Sequence, residues 1–147
     1  MKDGEKLMPR FNTTIDMLGY LSEYRTHYYR WIALDAQLTS IRSPKLDDMP
    51  SSGFVEADAK MNQIIQDKAD LEESMKSVRE DIIRLKDVSY KSYTIMIEKF
   101  VYFKTLEEIS LMMHYSLDHM KHELYPKAKL DLFRILNEDH TQSHPEQ

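Results

Sequence analysis

An all-α fold is predicted by three features of this sequence. Apolar residues recur at alternating steps of three and four over long stretches, Gly and Pro are scarce, and residue pairs that cap helices stand where those stretches begin. The 147 residues include three Gly and five Pro, too few for the tight turns that a sheet protein needs. Hydrophobic residues make up 41% and charged residues 31%, a balance that suits globular or coiled helices rather than a disordered chain. The expected architecture is a long antiparallel helical hairpin, coiled-coil-like, followed by a small C-terminal helix-turn-helix module.

The first helix is expected over about residues 11–42. Met17, Leu21, Tyr24, Tyr28, Trp31 and Leu38 form its apolar row, with Asp35 in the one slot where an apolar residue is missing. A second row of Phe11, Ile15, Leu18, Tyr29 and Ile32 is expected to widen the buried stripe. The Tyr and Trp side chains between residues 20 and 31 read as packing rather than as a platform for stacked bases. Pro44 biases Ser43 toward extended backbone and stops the helix, and SPKLDDMPSSG, residues 43–53, reads as a loop.

The second helix, expected over 54–88, has the most regular pattern. Phe54, Ala57, Met61, Ile64, Lys68, Leu71, Met75, Val78, Ile82 and Leu85 follow the heptad spacing, with Lys68 as the single polar intruder. At 1.5 Å per residue each helix is roughly 50 Å long. Neither can bury its stripe alone, so the two are expected to cover each other. Lys68 reads as a device for register or partner choice rather than a catalytic lysine. Glu72, Glu73, Glu80 and Asp81 read as the wet side of this helix.

The third region, 89–137, is expected to be the helix-turn-helix module, and 138–147 a disordered polar tail. Ser89 is placed to cap a helix carrying Tyr93, Met96, Ile97, Phe100 and Val101 on one side. Thr105 and Glu108 have the spacing of a capping box, in which hydroxyl and carboxylate each accept the other residue's backbone N–H. Ile109, Ser110, Met113, Tyr115, Met120 and Leu124 are the expected structural core: Ser110 is small where two helices approach, and Tyr115 plugs the turn. Leu117 is expected on the same inner side. Ser116 caps the next helix, whose outer side would present Ser116, Asp118, His119, Lys121 and His122 to a DNA groove. Lys127 and Lys129 follow and could bracket a phosphate. His114 stands where such turns often carry glycine, so it would have to accept a left-handed conformation. Pro126 should end or kink the helix. Glu123 falls where an apolar residue is common, with Leu124 one step later.

These stretches also carry a resemblance. SPKLDDMPSSG after the first helix, and YTIMIEKFVYFKTLEEISLMMHYSLDHM near the end, resemble the phage-encoded ArpU/RinA-type transcriptional regulators. The second stretch is also similar to the promoter-reading region of sigma factors. The resemblance spans roughly residues 17–136. It implies a regulator of late phage genes that binds promoter DNA, with Ser116 to Lys121 and their neighbours on the reading helix. Host RNA polymerase is an implied possible partner, homo-oligomerisation through the hairpin is expected, and the location would be the cytoplasm of a bacterial host.

Charge limits this reading. The net charge is −5, so any nucleic-acid surface must be local. Residues 90–134 hold seven Lys/Arg and six Asp/Glu, a nearly neutral module, so one copy should bind weakly and a dimer should be needed. The alternative is an interaction adaptor, or an inhibitor of a host complex, built on a helix-turn-helix that no longer contacts DNA. With no Cys there is no thiolate metal site. The His119/His122 and His140/His144 pairs lack an indicated third ligand, so no metal is expected. No glycine-rich phosphate loop and no perturbed carboxylate pair is legible, hence no enzyme activity, catalytic residue or cofactor is expected. The first residues lack an apolar signal core, and no stretch suits a membrane span.

Overall fold

In the computed structural model, residues 9–42 and 51–141 are described, and all regular structure among them is helical. Helix α1 is Thr14–Arg42 and α2 is Ser51–Ile83, prolonged by a 3-10 turn at Arg84–Asp87; α3 is Tyr90–Phe100, α4 Leu106–Met113, α5 Leu117–His119 and α6 Tyr125–Thr141. A π-helical turn, Met120–Leu124, joins α5 to α6. Of the expected 43–53 loop, residues 43–50 lie outside the described residues, and 51–53 already belong to α2. Residues 138–141 of the expected tail belong to α6, and 142–147 lie outside the described residues.

The chain forms two compact units. One comprises Arg25–Ser77; the other joins the residues up to Tyr24 with those from Val78 onward. Each long helix therefore contributes to both, which the expected division at residue 88 did not anticipate.

Within Arg25–Ser77, α1 and α2 run antiparallel. Trp31 donates its ring N–H to Glu72 Oε2 at 2.8 Å, and Lys68 Nζ meets Asp35 Oδ1 at 2.7 Å. Partners thus step down α2 as they step up α1. Leu34, Leu38 and Ile64 form the core, with Ile41, Met61 and Leu71 packed on it. The two polar residues that interrupt the two apolar rows are each other's partners. Lys68 is 15% exposed at the side chain and Asp35 49%, so the carboxylate keeps part of its hydration while the lysine stem is covered. The Lys68 ammonium also lies 4.7 Å from the Trp31 ring centroid, a cation–π contact.

The wider stripe expected on α1 forms only in part, with Phe11 and Leu18 half-buried. Ile15 is 76% exposed, Tyr29 51% and Ile32 41%, whereas Leu34, outside both expected rows, is buried. Within Arg25–Ser77 one facing helix covers only a narrow seam, so Tyr29 and Ile32, which flank it, stay in water.

In the second unit Thr13 caps α1, its hydroxyl accepting the Asp16 N–H at 3.1 Å. Met17, Leu21, Val78, Ile82 and Leu85 are buried together with Ile95 and Met96 of α3 and Leu132 and Leu136 of α6. Asp81 is not on the wet side of α2, as its position in the heptad suggested; it is 8% exposed. It accepts Tyr20 Oη–H at 2.6 Å and Arg10 Nη2–H at 2.7 Å. Burial alone would lower the Arg10 pKa, but hydrogen bonding and attraction to Asp81 outweigh it and raise the pKa further. The chain just before α1 is also tied to α6. Asn137 donates to the Phe11 carbonyl at 3.1 Å and accepts the Phe11 N–H at 2.9 Å.

Candidate nucleic-acid interface

The helix-turn-helix segment is built by local bonds. The Thr105 hydroxyl accepts the Glu108 N–H at 3.1 Å and the Glu108 carboxylate accepts the Thr105 N–H at 2.8 Å, completing the capping box. At the other end of α4, His114 is left-handed, with φ 65° and ψ 42°. Its N–H donates to the Leu111 carbonyl at 3.3 Å, and the Tyr115 N–H reaches back to the Ser110 carbonyl at 2.9 Å. This is the Schellman arrangement, normally centred on glycine. Ser116 then starts α5, its hydroxyl accepting the His119 N–H at 3.1 Å.

Packing separates an inner from an outer side. Ile109, Ser110, Met120 and Leu124 are buried, and Met113 and Tyr115 are half-buried. Leu117 is 36% exposed and does not join the inner side. Ser116, Asp118, Lys121 and His122 are exposed, and His119 is half-exposed. The expected outer face is therefore offered to solvent as one patch.

Pro126 neither ends the helix nor stops the chain's progress along α6. The Tyr125 N–H bonds the Met120 carbonyl, five residues back, so the turn preceding the proline is widened. A π turn carries one extra residue; here it leaves Glu123 in water with 68% of its side chain exposed and turns Leu124 inward. From Met120 the buried positions then run through Leu124, Ala128, Leu132 and Leu136.

Electrostatics are less favourable to an anionic ligand. His122 Nε2 lies 3.4 Å from Asp118 Oδ1, and His119 Nδ1 lies 3.8 Å from Glu123 Oε1, each one helical turn apart. Lys127 is bound at 3.0 Å to Asp131, a buried carboxylate that also accepts the buried Ser92 hydroxyl at 2.7 Å. Its role is to neutralise the acid that ties α3 to α6. Lys129 lies 4.6 Å from the Tyr125 ring centroid and Lys99 5.6 Å from the same ring. Burial pushes the Tyr125 pKa up from 10 to about 12. The structure thus gathers Ser116, Asp118, His119, Lys121 and His122, and sets Lys127 and Lys129 to other contacts. Sequence reasoning missed Lys91 of α3, whose ammonium lies 5.0 Å from the Tyr115 ring centroid. No local signal pointed to it, because its partner is distant in sequence.

Among the described residues no cluster of three or more His, Asp or Glu could hold a metal ion, and no helix is long and apolar enough to cross a membrane. The chain matches no family model, curated protein or solved structure with which it was compared.

Proposed function

We propose that this chain is a DNA-binding transcriptional regulator of the phage late-gene type, reading duplex DNA with the helix that starts at Ser116. The observation that carries the reading is the exposed polar patch of Ser116, Asp118, His119, Lys121 and His122 over a buried Ile109, Ser110, Met120 and Leu124. That division is what a groove-entering helix requires. Lys121 has no carboxylate partner among the described residues and is the first choice for a base-edge or phosphate contact. Asp118 can accept from a cytosine amino group but repels phosphate. With so little net charge, one copy binds weakly, and a homodimer formed through the α1/α2 hairpin supplies two half-site contacts. In this scheme the protein works in the bacterial host cytoplasm, and host RNA polymerase is the further partner.

The test is a gel shift with duplex DNA from the flanking genomic region, comparing the wild type with Lys121→Ala and His122→Ala. Both variants should bind several-fold more weakly. Equal binding by all three would remove these residues from the interface.

The second reading, an adaptor or inhibitor of a host complex, is favoured by one observation: His119, His122 and Lys127 of this surface each lie beside an acid one turn away. Pull-down from nuclease-treated host lysate separates the two readings. A partner retained without nucleic acid, with no DNA shift, supports the adaptor.

A further inference from the structure

We infer that Lys91, on α3 and outside the two helices of the turn motif, is a phosphate-backbone contact for duplex DNA; this rests on the DNA-binding reading above. Lys91 is exposed and its ammonium is held 5.0 Å from the Tyr115 ring centroid. Tyr115 in turn lies 5.5 Å, ring to ring, from His119 on the outer patch. The lysine is thereby anchored beside the N-terminal end of the reading segment by a residue of the turn itself.

The manner of anchoring decides the chemistry. An ammonium already paired with a carboxylate must give up that pair, or share it, before it can neutralise a phosphate. An aromatic face orients the cation without cancelling its charge. Lys127 belongs to the first kind, with its acid at 3.0 Å, and the rings of His119 and His122 likewise lie 3.8 and 3.4 Å from acids. Lys91, with no carboxylate partner among the described residues, belongs to the second. Ser92, the next residue, is buried and donates to Asp131 of α6, so the α3 backbone that carries Lys91 is fixed against the helix that continues the reading segment. A rigid base carrying an oriented tip whose charge is not cancelled is what a sequence-independent phosphate contact needs.

Binding of the full chain to a fluorescein-labelled mixed-sequence duplex and to the flanking-region duplex is measured by anisotropy across about 50 to 200 mM salt. Lys91→Gln should weaken both by a similar factor, about threefold to tenfold, and make the slope of log K against log salt shallower by about one. Lys91→Arg should keep the wild-type slope. Circular dichroism checks that both variants stay folded. If the wild type binds and Lys91→Gln matches it in affinity and slope, Lys91 is no phosphate contact, although the DNA-binding reading stands. If Lys91→Gln changes affinity for only one duplex, the contact is to bases and the inference is overturned. If the wild type itself shows no binding, both fall.

Discussion

The Lys68–Asp35 pair offers the sharpest quantitative test of how α1 and α2 recognise each other. Removing one partner of a fully buried pair costs about 3–5 kcal/mol, because a charge is stranded; an exposed pair contributes about 0.2–1 kcal/mol. Asp35 is 49% exposed at the side chain and can rehydrate, so the coupling belongs near the lower range, at about 1 kcal/mol. Lys68→Ala also loses the covered lysine stem, about 0.8 kcal/mol per methylene, and the Trp31 cation–π contact, about 0.5–1 kcal/mol. The single variant should therefore cost about 4 kcal/mol, of which the pair is the smaller share. Lys68→Met, which keeps the apolar volume but loses the pair and the ring contact, should cost about 1.5–2 kcal/mol. The assay is urea unfolding followed by Trp fluorescence. Trp31 is the sole tryptophan, and it touches Lys68, so its signal reports on the Arg25–Ser77 unit. A coupling of 1 kcal/mol moves the midpoint by about 0.5 M at a typical urea slope. A double-mutant cycle of Lys68→Ala with Asp35→Ala isolates the pair, and the swapped Lys68→Asp, Asp35→Lys protein should regain stability over either single charge reversal. Coupling under about 0.3 kcal/mol, within the scatter of independent sites, would show that the two charges do not recognise each other in solution.

Two further outcomes follow from backbone and burial. His114→Gly relieves a left-handed residue, worth about 1–2 kcal/mol, against about 0.5–1 kcal/mol of added unfolded-state freedom. The net gain should raise Tm by about 1–4 °C in a scanning thermal melt, and an unchanged or lower Tm would mean that the His114 side chain makes good the strain. Tyr125 has a folded pKa raised to about 12 by burial. Its contribution to stability is whole below its ordinary value near 10 and is lost as pH rises through about 12, because the unfolded chain releases the proton first. An alkaline titration of tyrosinate absorbance should show a late-ionising component that Tyr125→Phe removes.

Much of the local structure was legible in the residues themselves. The caps at Ser89, Thr105/Glu108 and Ser116 form as their side chains suggest, and His114 adopts the left-handed conformation that its place in the turn demanded. Each of these depends on groups within one helical turn, so adjacent letters contain all the partners. The boundaries of α2 moved because a serine-glycine start can be either loop or first turn, and the apolar pattern alone does not choose. The exposure of Leu117 was not legible, since it depends on the angle at which α4 meets α5.

By itself the sequence determined that this chain is helical, where most helices begin, and that two long apolar rows, each broken by one charge, needed covering. Only the tertiary structure decided that those two charges meet, that Asp81 is buried under Arg10 and Tyr20, that Lys127 serves Asp131, and that Lys91 rests on Tyr115. It also decided that the chain passes Pro126 by widening a turn, which brings Leu124 rather than Glu123 inward. The reason is range: a hydrogen bond to a neighbouring turn is set by the local chain. Which acid a given lysine finds across helices is set by register and by what the surrounding apolar packing leaves exposed to water.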